Sequence, residues 1–275
     1  MESGRQKVTR KDVAREAGVS ETIVSYVLNK NRYVKEEKRQ RVLEVVEKLQ
    51  YHPNNIARAL HGKGSLQILF IAEELSSGYF SELVSQMSRD AYRRGYMISL
   101  CESQEEDEFV SQILSRQFDG LFVSASGVTD RELKLLVKSG IPMVLFLNRE
   151  ISCDLRDTVV VDTGLYEGSR ECVKHLKNGC RNFVYLDKTG KQCDRDIHWK
   201  GFFDQIKESE ITFAQEQRIS GCEDIKKLEK RLQLLLEKNP SVDAIVARYD
   251  NLAAVALSVA GRTGRKVPDD LMVTG

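Results

Sequence analysis

Residues 9–29, TRKDVAREAGVSETIVSYVLN, carry the signals of two short helices joined by a tight turn. Thr9 and Asp12 have the spacing of a capping box, in which the threonine hydroxyl accepts a hydrogen bond from a free N–H group at the helix start. Gly18 ends this helix, because a left-handed backbone costs glycine little. Ser20 then caps a second helix. The stretch therefore predicts a helix, a glycine turn and a second helix.

The spacing of Ala14, Gly18 and Val24 is that of a helix-turn-helix. A third helix is expected over residues 36–50, where apolar side chains recur on one face. In this motif the second helix lies in the major groove of DNA with its N-terminal end leading. The sequence therefore predicts an all-α DNA-binding head.

The charge of the chain differs between the predicted head and the rest of the chain. Residues 1–64 hold 14 Lys and Arg against 8 Asp and Glu, whereas the other 211 residues hold 28 against 33. A basic head on an acidic body is typical of a nucleic-acid-binding module joined to a second functional part. A solvated basic helical face gives the same balance, so the charge supports the motif without replacing it.

Polar side chains on the outer face of the second helix are the candidate DNA contacts. Three of them are expected to reach base edges: Glu21, Thr22 and Tyr26. Others are expected to hold phosphates, which position the protein without specifying sequence: Thr9, Ser20, Ser25 and Asn29. Two alternatives stay open, since Glu21 also suits the positive end of a helix and Tyr26 also suits a packing role.

Residues 53–65 are expected to form a hinge. Pro53 breaks the third helix, and Asn54 can cap a new helix of about seven residues, which is marginal alone in water. Such a helix forms when DNA or a partner chain stabilises it, so it suits a conformational switch. The alternative is an ordinary linker whose apolar residues pack on the body.

From residue 66 onward, short apolar runs alternate with helical stretches. The predicted strands are 67–72, 97–101, 120–124, 143–147, 158–162, 182–186, 217–220, 244–247 and 271–274. This alternation indicates an α/β body with parallel sheets covered by helices on both faces. A break near residues 150–158 predicts two lobes, with a ligand cleft at the carboxyl ends of the strands.

Several classes of protein are excluded or disfavoured. No run approaches the roughly 18 apolar residues of a membrane helix, and the N-terminus lacks the apolar core of a secretory signal. The six cysteines form no C-x-x-C pair, which indicates reduced thiols in a cytosolic protein. No P-loop, dinucleotide-binding or nucleophile-elbow motif is present, so no enzyme and no cofactor are expected. Cys172, His175 and Cys180 lack a fourth ligand and metal-type spacing, so no metal is expected either.

The head resembles that of the lactose/galactose repressor (LacI/GalR) family. The family pattern V-T-x-x-D-V-A-x-x-A-G-V-S-x-x-T-V-S-x-V-L-N is matched over residues 8–29 except at Ile23, and Y-x-P-N-x-x-A-R-x-L is matched over residues 51–60. The family usually has Thr at position 23, which implies one phosphate contact fewer. The resemblance implies a homodimer on pseudo-palindromic double-stranded operator DNA. It also implies paired hinge helices that contact DNA through Asn54 and Ala57 and wedge Leu60 into the minor groove.

The resemblance continues through the body. Residues 118–121 (FDGL), 140–144 (GIPMV) and 267–273 (VPDDLMV) resemble family segments, as does 74–80 (ELSSGYF). The implied fold is the two-lobed, periplasmic-binding-protein-like type, with a small-molecule effector such as a sugar or sugar phosphate between the lobes. The candidate effector contacts are Tyr79 and Phe80, which can stack on a ring face, and the polar residues Ser124, Asn148, Arg149, Asp162, His198, Tyr249 and Asp250.

Three departures from the family pattern leave the effector open. His198 stands where the family usually has an effector-anchoring Arg, Tyr249 replaces an Asn, and residues 162–180 do not keep the family spacing. A larger or aromatic ligand, a regulatory protein in place of a small molecule, or no effector fits these departures. For His198, an ordinary surface histidine is an equally good explanation.

The expected organisation is a helix-turn-helix domain over 1–52, a hinge helix and linker over 53–65, and a two-lobed effector-binding and dimerisation domain over 66–275. Family members usually continue well beyond the position of Gly275, so a truncated copy or a second lobe without its last elements is expected. Such an end would leave apolar surface and a sheet edge uncovered. The expected function is transcriptional repression in the cytoplasm, on the nucleoid when DNA is bound.

Overall fold

The structure, a computed structural model, describes most of the chain. The described residues are 8–53, 64–73, 75, 78–104, 108–124, 128–187, 193–220 and 224–275, without the side chain of Cys193. The chain divides into two compact units, Met1–Ser65 and Leu66–Gly275. No helix within the described residues combines the length and the apolar character that crossing a bilayer requires.

The first unit is helical. Its helices are α1 (Arg10–Ala17), α2 (Glu21–Asn29) and α3 (Glu36–Lys48). Gly18 ends α1 with φ of 63°, in the left-handed region that the turn requires. The apolar faces of the three helices pack together in a small core. Its buried members are Val13, Ala14, Ala17, Val24, Val27, Val42, Val45 and Tyr51. The helix-turn-helix predicted from the capping and apolar spacing is confirmed.

The first lobe of the second unit is built on a five-stranded parallel sheet of order β2-β1-β3-β4-β5. The strands are β1 (Gln67–Ala72), β2 (Met97–Glu102), β3 (Gly120–Ser124), β4 (Met143–Leu147) and β5 (Val159–Asp162). The helices between them are α4 (Gly78–Arg93), α5 (Phe109–Leu114) and α6 (Asp130–Lys138). Alternate residues of the inner strands pack against α5 and α6, and the centre of this core is formed by Leu69, Ile71, Leu121, Val123, Leu133 and Leu136.

The second lobe has a four-stranded parallel sheet of order β7-β6-β8-β9. Its strands are β6 (Phe183–Leu186), β7 (Arg218–Ile219), β8 (Ala244–Ala247) and β9 (Met272–Thr274). Its helices are α7 (Leu165–Leu176), α8 (Ile197–Glu208), α9 (Ile225–Lys238) and α10 (Asp250–Arg262). Strand β6 and strand β8 are buried along their whole length, so one face of the sheet packs on α7 and α8 and the other on α9 and α10.

The division between the lobes differs from the sequence prediction. The break predicted near residues 150–158 would assign the run at 158–162 to the second lobe. The structure instead pairs β5 with β4 in the first sheet, with Val144 beside Val159 and Leu147 beside Asp162. The chain therefore crosses between lobes after β5. An apolar run shows that a strand is present, but which strand lies next to it depends on tertiary pairing.

The close packing of α7 against α8 explains a glycine. A Cβ atom at Gly201 would overlap the carbonyl oxygen of Tyr166 on α7. Only glycine allows the two helices to approach this closely, which fixes the start of α8 against the lobe. This placement determines where His198, three residues earlier on the same helix, can point.

Candidate functional site

The start of α2 presents the side chains expected to contact DNA. The Oγ atom of Ser20 accepts a hydrogen bond from the Ile23 N–H at 3.3 Å, so this hydroxyl caps the helix. Glu21 and Thr22 follow in the first turn and are exposed. Val24 is fully buried on the opposite side, which fixes the rotation of the helix and directs these polar residues outward.

The second turn of α2 continues the polar face. The Asn29 amide donates to the carbonyl oxygen of Ser25 at 2.8 Å and to its hydroxyl at 3.1 Å. Tyr26 is half-buried beside the head core, and the Arg32 guanidinium lies 5.2 Å from its ring centroid. The sequence did not reveal this contact of Arg32 with Tyr26, because Arg32 lies beyond the end of α2. Lys30, with φ of 51°, turns the chain back so that Arg32 reaches the Tyr26 ring.

Thr9 lies at the start of α1 and is exposed. Its backbone N–H donates to Asp12 at 3.0 Å, and its hydroxyl accepts from the Asp12 N–H at 3.3 Å, which completes the predicted capping box. The hydrogen bonds from Thr9 lower the pKa of Asp12 below its usual value. The predicted contact of Thr9 with a phosphate therefore shares the hydroxyl with the cap. The predicted hinge contacts Asn54, Ala57 and Leu60 lie outside the described residues.

The carboxyl ends of the strands in both lobes bring polar residues together. Ser124 ends β3 and is 3% exposed, and Asn148 follows β4 and is half-buried. The Asn148 carbonyl oxygen accepts from the Ile197 N–H at 3.2 Å, which joins the end of β4 to the start of α8. The two predicted residues thus lie at this edge, although their side-chain roles toward a ligand stay predictions.

Arg149 lies deeper than the sequence suggested. Its side chain is 2% exposed, and its guanidinium donates to Asp130 at 2.7 Å and to the carbonyl oxygens of Val128 and Glu150 at 2.6 and 2.8 Å. Burial raises the pKa of Asp130, but the hydrogen bonds from Arg149 and Arg195 outweigh it and lower the pKa to about 2. Arg149 thus holds the first lobe together, and direct ligand contact by its guanidinium has no support in this arrangement.

The remaining first-lobe candidates are dispersed. Asp162 is exposed at the end of β5, where its carboxylate accepts from the Gly164 N–H at 2.8 Å and forms the turn into α7. Tyr79 is 57% exposed on α4 and contacts Phe80 edge-on at 5.2 Å. Phe80 packs against Phe70 of β1 at 6.0 Å. The aromatic pair therefore lies on the α4 side of the sheet, and only Tyr79 has a freely exposed ring.

His198 is an integrated part of the second lobe. Its Nδ1 atom lies 2.9 Å from the Tyr185 hydroxyl and 3.4 Å from the Ser169 hydroxyl. Burial, with the nearby charge of Arg248, lowers the pKa of His198 to about 4, so the ring is neutral at pH 7. Burial also raises the pKa of Tyr185, so its hydroxyl stays protonated and shares a hydrogen bond with Nδ1 of His198. His198 therefore offers no positive charge of the kind that an arginine would.

A buried ion cluster beside His198 was missed in the sequence. Arg248 follows β8, and its guanidinium lies 2.6 Å from the carboxylate of Asp196 and 3.5 Å from that of Asp187, which follows β6. All three side chains are at most 4% exposed. The sequence does contain a signal for it, since Asp187 and Arg248 each directly follow a buried strand. In parallel sheets that position lies at the cleft.

Tyr249 and Asp250 stand at the start of α10, next to this cluster. The Arg248 guanidinium lies 4.8 Å from the Tyr249 ring centroid, and Tyr249 remains 36% exposed. Asp250 is exposed. His198 and Tyr249 both lie near Arg248 in the second lobe, and the roles of His198, Tyr249 and Asp250 toward a ligand stay predictions.

Metal-binding chemistry has no support in the part of the chain that the structure describes, where no group of three His, Cys, Asp or Glu side chains is placed to hold an ion. Two buried acidic residues of the second lobe, Asp187 and Asp196, are paired with Arg248.

Comparison with known families covers nearly the whole chain. Residues 9–54 match the family described as bacterial regulatory proteins, lacI family. Residues 65–274 match the periplasmic binding proteins and sugar binding domain of the LacI family. The two matches correspond to the helical head and to the two-lobed body.

Individual relatives agree with these matches. The ribose operon repressor of Halalkalibacterium halodurans is 30% identical over 272 residues, which cover 97% of this chain and 79% of the relative. The PurR transcriptional repressor of Actinobacillus pleuropneumoniae is 31% identical over 280 residues, covering 97% and 80%.

A solved structure shows the same fold. The lac repressor dimer bound to operator and the anti-inducer ONPF superposes with a TM-score of 0.78 at 21% identity, covering 97% of this chain and 81% of that chain. The expected two-lobed body with a helix-turn-helix head is thereby confirmed. The chain belongs to the LacI family of bacterial regulatory proteins and is a DNA-binding transcriptional repressor with an effector-binding domain.

Proposed function

We propose that the protein is a homodimeric repressor that binds a two-fold-symmetric operator in the cytoplasm and is controlled by a small molecule in the cleft. The observation that carries the proposal is the polar outer face of α2, held in place by the buried Val24 and the Ser20 cap. An exposed, rigid helix of this kind is what entry into the major groove requires.

The DNA contacts are assigned by their place on α2. Glu21, Thr22 and Tyr26 contact base edges, because they lie on the leading turns of the helix. Phosphate contacts come from the hydroxyl and amide side chains around them, namely Thr9, Ser20, Ser25 and Asn29. Because residues 1–64 carry excess positive charge, affinity falls steeply with salt.

The hinge contacts extend this interface. Asn54, Ala57 and Leu60 are the hinge contacts expected from the sequence, where a helix of about seven residues would need DNA and a second chain to stabilise it. In this assignment Leu60 enters the minor groove and kinks the duplex. Replacement of Leu60 by Ala abolishes tight operator binding and leaves the body folded, whereas unchanged affinity would remove the wedge from the mechanism.

An apolar face of the first lobe supports dimer formation. The α4 and β2 side carries a groove of about 330 Å³ lined by Leu75, Phe80, Val84 and Leu100. Near it, Tyr92 and Met97 are 81% and 69% exposed, and β2 is the edge of its sheet. Monomers rarely expose an apolar patch of this kind next to an open edge strand. A second copy of the chain covers both features.

The cleft favours an uncharged, hydrogen-bonding ligand. Among the described residues, Arg149 and Arg248 are paired with carboxylates and His198 is neutral, so the cations there are already compensated. Ser124, Asn148 and Asp250 supply polar groups, and Tyr249 supplies a ring. A neutral sugar or a nucleobase matches this set better than a sugar phosphate does.

The proposal is tested by binding the full-length protein to a pool of random duplexes at about 50 and 200 mM salt, the range over which phosphate contacts are screened. Enrichment of a two-fold-symmetric site is the expected result. The enriched duplex then serves to test whether neutral sugars, sugar phosphates or nucleobases weaken or strengthen the binding of the protein to DNA. Salt-dependent binding without any enriched sequence would overturn the operator assignment.

A further inference from the structure

Two segments from different lobes meet beside the cleft. The segment after β4 belongs to the first lobe, and the segment that leads into α8 belongs to the second. The Glu150 N–H donates to the Arg195 carbonyl oxygen at 2.8 Å, and the Ile197 N–H donates to the Asn148 carbonyl oxygen at 3.2 Å. Both amides are therefore protected only while the two lobes remain together.

Ion pairs reinforce this contact. The Arg195 guanidinium reaches into the first lobe, where one nitrogen lies 3.0 Å from the Asp130 carboxylate, 3.1 Å from the Ser152 hydroxyl and 2.7 Å from the Glu150 carbonyl oxygen. The second oxygen of Asp130 is held by Arg149 at 2.7 Å. Asp130 thus joins one arginine from each lobe.

Burial makes the Asp130 pair stronger than an ordinary surface ion pair. The Asp130 side chain is 19% exposed and that of Arg195 is 38% exposed, so water screens them only in part. Lys200 and Glu150 form a second pair across the lobes, but both are about half exposed and contribute little. Of these two pairs, Asp130 with Arg195 therefore contributes more to the charge attraction between the lobes.

The same segment connects directly to the cleft. Asp196, next to Arg195, forms an isolated antiparallel bridge with Arg149 of the first lobe. Its carboxylate accepts from Arg248 at 2.6 Å and from the Trp199 N–H at 3.0 Å, which caps α8. A ligand in the cleft that displaces Arg248 or tilts α8 therefore moves Asp196, which is next to Arg195 in the chain.

We propose that Arg195 and Asp130 form an ionic latch that holds the two lobes together, and that Asp196 couples this latch to the cleft. The coupling rests on the proposed function, since it requires an effector there, whereas the latch itself does not. The latch sets how readily the lobes separate, and an effector acts by strengthening or releasing it.

Hydrogen exchange of the full chain, without DNA or ligand, tests the latch. Replacement of Arg195 by Met removes the charge and keeps a side chain of similar reach. The amides of Glu150 and Ile197 then exchange about tenfold faster, because opening exposes both. Asp130→Asn gives the same result from the other lobe. The matched control is Arg170→Met, which breaks the pair of Arg170 with Glu208 inside the second lobe and leaves both amides unchanged.

Small-angle X-ray scattering of the same variants separates lobe opening from local loosening. The latch predicts a larger radius of gyration for Arg195→Met and Asp130→Asn than for Arg170→Met. Faster exchange with an unchanged radius would overturn the latch, as would unchanged exchange at Glu150 and Ile197. Because neither measurement uses operator or effector, failure here leaves the DNA-binding proposal standing, and failure of the duplex selection leaves the latch standing.

Discussion

The head and the cleft illustrate two different ways of building a binding surface. In the head, the candidate contacts are neighbours in sequence on one short helix, and their direction follows from the apolar residues on its other face. In the cleft, the important side chains come from segments far apart, such as Asp187 and Arg248, which are 61 residues apart. We therefore expect loss of one polar side chain from the head surface to have little effect on folding, whereas loss of one charge from the buried cluster destabilises the body.

Replacement of Arg248 by Met tests this difference most severely. The change leaves the buried carboxylates of Asp187 and Asp196 without their cation, which costs about 3–5 kcal/mol in the free energy of unfolding of the body. Denaturant unfolding monitored by Trp199 fluorescence measures the loss. Arg262→Met, which breaks an exposed pair with Glu229, serves as the control and costs less than about 1 kcal/mol. Equal losses would show that the cluster is not structurally critical.

Acid provides a second test of burial in the cleft. The pKa of His198 is about 4 in the folded state and 6.5 when exposed, so between these values the unfolded chain binds a proton that the folded chain does not. The free energy of unfolding therefore falls as pH decreases from about 6.5 to about 4, by at most about 3 kcal/mol.

The variant His198→Gln removes this part of the pH dependence, since the glutamine amide can donate to or accept from the Tyr185 hydroxyl without titrating. Unfolding titrations at several pH values measure the effect. His175→Gln, at an exposed position on α7, is the control for the exchange of histidine for glutamine. A slope that survives in His198→Gln would assign the titration to another group.

Sequence reasoning succeeded where structure is local and failed where it depends on distant partners. The helices of the head follow from Thr9, Gly18 and Ser20, because caps and turns involve residues two to four positions apart. The position of Arg149 after a strand predicts contact with a ligand, but its ion pair with Asp130 cannot be inferred from its neighbours, because Asp130 lies on another element. The Asp187–Asp196–Arg248 cluster was missed for the same reason.

On the head, Tyr26→Ala is expected to change which duplexes are preferred, with a loss of about 1–3 kcal/mol for the preferred site. The ring lies beside Arg32 on the outer face of α2 and outside the buried core. Competitive binding to a duplex library measures the preference. Arg39→Met, at an exposed basic position on α3, is the control and weakens all duplexes alike. A uniform loss in Tyr26→Ala would make Tyr26 a packing or phosphate residue.

The smallest effect is expected at the capping boxes, one of which occurs in each unit. Thr9 with Asp12 and Thr129 with Glu132 form the same capping box, at the start of α1 in the head and of α6 in the body. Thr9→Ala and Thr129→Ala each lower the free energy of unfolding of their own unit by about 1 kcal/mol, because each removes one cap. Only Thr9→Ala also weakens duplex binding if its hydroxyl contacts a phosphate. Thr9→Ser keeps the cap and the hydroxyl and restores both properties. Loss of duplex binding in Thr129→Ala as well would show that destabilisation of the protein, and not a phosphate contact, accounts for the effect at Thr9.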